Sequence, residues 1–431
     1  MKKCLNFLLF IYSFATFSQN YTSYFTGNST DLVTNPQGGI CLMGGASEDD
    51  NAVKWFLERA DGGDVLVLRA TGSDGYNTYL YSGLGITVNS VETIVCNNTN
   101  ASSDAYVINK INQAEAIWFA GGNQWTYISY WRNSPVNQAI NQAIHERNVV
   151  IGGTSAGMAI QGKYYFSAQN GTVTSNTATS NPYASSVTVD STTFIQNNIL
   201  QKVITDTHFD SPDRKGRLVA FLSRIYTDYN ISGYAIACDE YTAVCIEPTG
   251  QARVFGGYPS YDDNAYFVQV NCELPDQDPE VCSAGNALTW NHNGQAVKAF
   301  QIKGDATGSK LFDLNSWETT SSGSWYNWSV ANGTFQETVG IAPSCSVGMS
   351  SNLNKDDVLI YPNPATHEFI LTIPSELIGK TYNIIDQLGK IVKTVLIESE
   401  KQTISIEGIE NGCYLIYMDR FPISKLFVQW D

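Results

Sequence analysis

The sequence predicts an α/β fold: a three-layer sandwich built on a mostly parallel sheet, then a β-rich extension and a small C-terminal β-sandwich. Three observations carry this expectation. Short continuous apolar runs recur through the first half of the chain, as in Val65-Leu66-Val67-Leu68 and Ala116-Ile117-Trp118-Phe119, and strands that do not alternate are buried on both faces. Stretches with apolar residues at helical spacing separate these runs, the arrangement that gives crossover helices. From Tyr234 onward the helical spacing fades, and short strands follow one another with turn residues between them.

Taken in order, residues 19–36 are rich in Asn, Thr, Ser and Tyr without periodicity and are expected to be an exposed leader. Gly39 to Met43 is a first buried strand. Ser47 is the expected cap of the next helix, with Asp50 reaching back to it, and Val53, Phe56, Leu57 and Ala60 form its apolar face. Asp61-Gly62-Gly63 ends it. Asp64 to Ala70, Val91 to Cys96 and Ala116 to Phe119 are strands, with a helix from Ala105 through Ile111. Two helices follow, Gln124 to Arg132 and Pro135 to Arg147, where Pro135 suits a first helical turn. A strand then leads through Val149-Val150-Ile151 into Gly152-Gly153. Tyr164 to Thr193 is long for a loop and is expected to be a functional cover or irregular hairpin. A strand at Val203 to Thr205, a helix from Lys215 to Tyr226 and strands to Val270 complete a domain over residues 37–270. Residues 271–350 form the β-rich extension and 351–357 a linker. Residues 358–431, with short alternating strands at regular intervals, form the β-sandwich.

Of the 431 residues 15% are charged and 12% aromatic, and the net charge is −16. This is a core-forming composition with no basic patch to neutralise phosphates, which argues against nucleic acid as a partner. Met1-Lys2-Lys3 and the apolar run Leu5 to Phe17 read as a secretory signal peptide over residues 1–18. No later stretch approaches the ~18 apolar residues of a membrane helix, so no transmembrane segment is expected in the mature chain. An exported chain can form disulfides. Cys272 with Cys282 is the leading pair and Cys238 with Cys245 a second, while Cys41 and Cys96 read as buried thiols. No His or Cys spacing suits a metal, and no cofactor is expected.

The chemistry centres on Gly153-Thr154-Ser155-Ala156-Gly157. A strand, a sharp turn and a helix there expose a serine hydroxyl between small neighbours, the nucleophile-elbow arrangement. Glycine turns at 44–45, 121–122 and 152–153 each follow a strand and are expected to line one sheet edge, where open α/β sheets bind ligands. A nucleophilic serine needs a base and a group that orients the base. His208 ends the strand before it, so it is the base. Between the two in chain order lie only Asp190 and Asp206. Asp206 is the residue to pair with Arg214 or Arg217, which leaves Asp190 as the orienting acid by elimination. The backbone N–H groups of Ala156 and Gly122 are the candidate oxyanion donors. Asn123, Gln124 and Arg214 are candidate substrate contacts.

Residues 39–270 resemble the cyanophycinase branch of the serine peptidases related to aspartyl dipeptidase. The resemblance rests on Leu42-Met43-Gly44-Gly45, Phe119 to Gln124, Gly153 to Gly157, and Asp206-Thr207-His208-Phe209 followed by Arg214-Lys215-Gly216-Arg217-Leu218. It implies a class I glutamine-amidotransferase-like sandwich, Ser155 as nucleophile, His208 as base, and hydrolysis of peptide bonds next to Asp, in cyanophycinase itself β-Asp-Arg units. Two positions depart from the pattern: Pro212 stands where the family usually has Arg, and Thr177 where a Glu commonly completes the triad. These departures motivate a rival reading, a secreted binding protein on the same fold. An amidotransferase is disfavoured because no Cys sits at the elbow. The last unit resembles the type A sorting domain of the type IX secretion system, through Ile360-Tyr361-Pro362-Asn363-Pro364-Ala365, Asp386 to Lys390, and Asn411-Gly412-Cys413-Tyr414. It implies the secretion machinery as a partner and a secreted or cell-surface location.

Overall fold

The computed structural model describes residues 19–344, 359–373, 378–386, 390–418 and 421–429; the expected signal peptide and linker lie outside them. The chain divides into two compact units, residues 1–345 and 346–431. In chain order the first unit holds strands β1 (Tyr21–Gly27), β2 (Ile40–Met43), β3 (Asp64–Arg69), β4 (Ser90–Cys96), β5 (Ala116–Phe119), β6 (Val150–Thr154), β7 (Tyr165–Phe166), β8 (Val189–Asp190) and β9 (Val203–Asp206). Strands β10 (Tyr234–Cys238), β11 (Ala243–Ile246), β12 (Gln251–Tyr258), β13 (Asn264–Val270), β14 (Val297–Lys303), β15 (Leu311–Asp313), β16 (Ser324–Ala331) and β17 (Thr334–Val339) complete it. Its α-helices are α1 (Asp50–Glu58), α2 (Ala105–Gln113), α3 (Gln124–Trp131), α4 (Pro135–Arg147), α5 (Ala156–Ala159), α6 (Ser175–Ser180) and α7 (Lys215–Tyr229).

Nine strands form one sheet in the order β1-β4-β3-β5-β6-β2-β11-β12-β15. Only its centre, β4 through β2, is parallel, and antiparallel strands finish both sides. The central strands present alternate residues to opposite faces. Leu42, Leu66, Leu68, Ile117 and Phe119 pack with Val107, Ile111, Ile128, Trp131 and Ile140 of α2, α3 and α4. Met43, Val65, Val67 and Trp118 pack on the other face with Val53, Phe56 and Leu57 of α1. Each such fully buried large side chain contributes about 1.5–3 kcal/mol. A second sheet has the order β17-β16-β14-β13-β10-β9. Leu218, Phe221, Leu222 and Ile225 of α7 pack with its Ala235, Val268 and Trp328. Strands β14, β16 and β17, from the stretch read as an extension, thus continue the sheet begun by β9 and β10.

Several expectations need correction. The leader is not free: its segment 21–27 is an edge strand paired along its length with β4, from Tyr21 opposite Cys96 to Gly27 opposite Ser90. Tyr, Thr and Phe favour strands, but one solvated side hid the pattern. The cap of α1 is Asp49, whose carboxylate accepts from the N–H groups of Asn51 and Ala52, rather than Ser47. Cys282 is a free thiol, as are Cys238 and Cys245. Cys272 is disulfide-bonded, but not to Cys282. Gly152 and Gly153 lie within β6, where a Cβ on Gly152 would fall 2.6 Å from the Trp118 ring, so that glycine serves packing.

In the second unit, strands Leu359–Tyr361, Glu368–Thr372 and Lys401–Ser405 form one antiparallel sheet. Strands Thr381–Ile385, Ile391–Leu396, Gly412–Met418 and Phe421–Val428 form another. Phe369, Leu371, Tyr382, Ile384, Ile404 and Ile416 share one apolar core. No helix among the described residues is long and apolar enough to cross a membrane.

Candidate active site

Strand β6 runs into Ser155, which begins α5 with φ 53° and ψ −113°. A non-glycine residue there stores of the order of 1–3 kcal/mol of strain, which the surroundings hold in place. The Ser155 N–H donates to the carbonyl of Met43 on β2, and its carbonyl accepts from the Ala159 N–H. The flanking glycines are required by space. A Cβ on Gly157 would sit 2.0 Å from the Phe119 carbonyl oxygen, and one on Gly153 2.6 Å from the carbonyl carbon of Gly157.

His208 comes from a different sheet. It follows β9, two residues past the strand end, with a left-handed φ of 45°, a region where His is enriched. Its N–H donates to the Gly44 carbonyl, 2.9 Å away, which ties it to the end of β2. Thr205 on β9 donates its hydroxyl to the Met158 carbonyl of α5 at 2.7 Å. The two sheets are therefore tied together where they carry the serine and the histidine. Gly45 makes the close approach: a Cβ there would lie 2.5 Å from the His208 Nε2.

The His208 Nε2 lies 2.8 Å from the Ser155 Oγ. Its Nδ1 lies 2.6 Å from Oε1 of Glu240, on the turn between β10 and β11. A carboxylate only accepts, so Nδ1 carries the proton and Nε2 is left to accept from the serine hydroxyl. The Glu240 backbone N–H donates to Asp210 Oδ1 at 2.9 Å, which fixes the turn. Glu240 is the residue that sequence reasoning missed. The order Ser, acid, His confines the expected acid to the stretch between Ser155 and His208, yet Glu240 follows both. The usable signal was its place just after a buried strand, the same rule that selected His208.

Asp190 is elsewhere engaged, which corrects its expected role. It ends β8 of the small β7–β8 hairpin and binds the Arg132 Nη1 at 2.6 Å and the Thr192 N–H at 2.7 Å. Burial raises its carboxyl, but these bonds outweigh burial and hold it below the usual carboxylate range. Thr177 lies exposed on α6, bonded to Thr174, while the imidazole bonds to Ser155 and Glu240.

Ser155 and His208 open on a cavity of about 410 Å³ that Gly122, Asn123, Gln124, Phe166, Arg214 and Arg217 also line. The expected cover is present: Phe166, Ala168, Gly171 and Thr172 form part of its wall. Gly122 has a φ of 154°, and a Cβ there would meet the Tyr127 hydroxyl at 3.3 Å. Asn123 caps α3 through the Trp125 N–H, and Gln124 donates to the Phe166 carbonyl, so both also hold the wall itself. The two arginines differ. Arg217 is buried and paired with Asp206 through Nε at 2.9 Å and through Nη2. Arg214 donates to the Thr207 carbonyl at 2.8 Å and makes no ion pair among the described residues. Burial, with Arg217 adding to it, pushes its guanidinium down to about 10. No group of three or more metal-ligating side chains occurs among the described residues.

Comparison with known proteins follows the same division. Residues 70–250 match the family described as Peptidase family S51, and residues 359–421 match the secretion system C-terminal sorting domain. The chain is 23% identical over 227 residues to a cyanophycinase of Synechococcus elongatus, covering 51% of this chain and 66% of that one. It is 40% identical over 70 residues to beta-agarase A of Zobellia galactanivorans, 16% of this chain and 13% of the agarase. Among solved structures, a peptidase from an acI-B1 Actinobacterium aligns at TM-score 0.41 and 12% identity, covering 65% of this chain and 98% of that one. A putative peptidase E protein from Listeria monocytogenes aligns at TM-score 0.34 and 15% identity, covering 51% and 98%.

Proposed function

We propose that this chain, which over residues 70–250 belongs to peptidase family S51 and carries a secretion sorting domain at residues 359–421, is an exported serine peptidase acting on Asp-linked peptides, with β-Asp-Arg units as candidates. The single observation that carries the reading is the line Ser155–His208–Glu240, with bonds of 2.8 and 2.6 Å, at the mouth of a cavity. Ser155 Oγ attacks the substrate carbonyl and gives its proton to His208 Nε2. Glu240 holds the tautomer and stabilises the imidazolium. The N–H groups of Ala156 and Gly122 receive the developing oxyanion. The leaving amine takes the proton from Nε2, and water then cleaves the acyl-enzyme by the same relay in reverse.

The substrate class follows from charge. Asp206 pairs with Arg217, whereas Arg214 lines the cavity and donates to the Thr207 carbonyl with no ion pair among the described residues. A substrate carboxylate is the complement to a desolvated guanidinium. The sorting domain implies the type IX secretion machinery as partner and places the protein at the cell surface or outside the cell.

The test is hydrolysis of isoaspartyl and β-Asp-Arg peptides by the purified full chain, beside labelling with a serine-directed phosphonate. The proposal expects both, and expects Ser155→Ala to lose both. Turnover retained in Ser155→Ala refutes the mechanism. Ligand binding with neither turnover nor labelling makes the protein a binding module on a peptidase fold.

A further inference from the structure

Two thiols face each other beneath the site. Cys41 on β2 and Cys245 on β11 are directly opposite in the antiparallel ladder, and their sulfurs are 3.6 Å apart. The bond from the Gly44 N–H to the Thr242 carbonyl makes 44 and 242 a hydrogen-bonded pair. Pair type alternates along the ladder, so Cys41 and Cys245, three steps on, are a non-hydrogen-bonded pair with Cα atoms about 4.5 Å apart. That separation falls inside the window a disulfide needs, and the sulfurs have about 1.5 Å to close.

We propose that Cys41 and Cys245 are joined by a disulfide in the exported protein. A second observation supports the chemistry of the compartment: Cys272 is already disulfide-bonded, and the sorting domain sends the chain out of the cytoplasm, where disulfides persist. Both sulfurs are fully buried, so the bond forms before or during packing of β11 onto β2. The oxidant is the disulfide of a thiol–disulfide oxidoreductase on the export route. One cysteine thiolate attacks that disulfide and displaces one of its sulfurs. The second cysteine, having lost its proton, attacks the mixed disulfide and releases the oxidoreductase as a dithiol. Two protons and two electrons leave the chain, and one S–S bond forms.

The position gives the bond a consequence. Strand β2 leads into Gly44 and Gly45, which contact His208, and Glu240 precedes β11. The closed loop spans 204 positions and contains Ser155, His208 and Glu240. The staple holds together the two strands whose ends cradle the histidine and carry its acid.

Full-length protein recovered from the culture medium or cell surface is denatured, alkylated without reduction and digested. The expected result is a Cys41–Cys245 cross-linked peptide, with both cysteines alkylated only after reduction and Cys238 alkylated in either case. Alkylation of both Cys41 and Cys245 before reduction overturns the proposal. As a second measure, Cys245→Ser should lower the non-reduced Tm by several degrees, and reduction should then lower the Tm of the variant by less than it lowers that of the parent. An unchanged non-reduced Tm also counts against it.

Discussion

Two carboxylate–nitrogen pairs in the first unit look alike in geometry and differ in what they are free to do. Asp190 meets Arg132 at 2.6 Å and Glu240 meets His208 at 2.6 Å. Arg132 is permanently charged and also binds the Tyr165 hydroxyl, so the Asp190 pair is a clasp that fastens the β7–β8 cover to α3. His208 keeps a second ring nitrogen that faces the serine hydroxyl at 2.8 Å. The pair suited to a proton relay is therefore the one whose nitrogen partner has a second ring nitrogen on a hydroxyl. The carboxylate alone does not mark it.

The largest expected difference comes from breaking each pair with an isosteric amide. Glu240→Gln no longer fixes the Nδ1–H tautomer, and kcat on a cleaved peptide should fall about 10⁴-fold. Asp190→Asn should change kcat by less than about threefold, because nothing in the proton relay touches it. Equal losses in both variants would return Asp190 to the candidate acids and put the two pairs on the same footing.

A smaller effect tests how His208 is seated. Gly45→Ala places a methyl within 2.5 Å of the imidazole, at a φ of 124° that L residues rarely adopt. The ring must move off the serine, and misplacement of that kind costs on the order of 10² in kcat. Full activity in this variant would mean that the imidazole is not held where the structure puts it.

How much of this was readable in the chain depends on range. The elbow was legible because its causes are local: small residues at 153 and 157 are demanded by backbone within the same turn and by Phe119. His208 was legible because a strand end is a local signal, although it stands on a second sheet instead of the one that carries Ser155. Glu240 was not, since convergent triads need no fixed chain order, and only the fold shows which strand end reaches the imidazole. The edge strand 21–27 was hidden for a related reason. Its partner β4 lies about 70 residues on, and a strand solvated on one side carries too little apolar pattern to announce itself.

Substrate recognition offers the next contrast, again between a satisfied and an unsatisfied partner. Arg217 is paired with Asp206 and donates to the Val173 carbonyl, whereas Arg214 keeps its charge available to the cavity. Arg214→Gln should raise KM for carboxylate-bearing peptides by roughly tenfold to a hundredfold, the worth of one charge-assisted bond, with a smaller change in kcat. An unchanged KM would remove Arg214 from the binding site.

The smallest expected effect concerns stability and distinguishes two carboxyls by sign. Asp190 is held below the usual carboxylate range, so the folded state binds fewer protons than the unfolded chain in mild acid. Its contribution is present above the unfolded value near 4 and is lost as pH falls through the lower folded value. Asp239 is the reverse. Burial raises it to about 7, and among the described residues its Oδ1 has no hydrogen-bond partner while Oδ2 accepts from Asn264. The folded state then binds more protons than the unfolded chain between about 4 and about 7, and stability falls as pH rises through that window. Asp239→Asn removes the buried charge while leaving an oxygen to accept from Asn264. It should raise Tm at pH 8 by a few degrees and leave it unchanged at pH 4, whereas Asp190→Asn should lower Tm at pH 8 and leave it nearly unchanged well below pH 3. Thermal unfolding of both variants across that range reads the two signs directly, and parallel curves for the two would show that the clasp and the buried acid do not differ as their surroundings require.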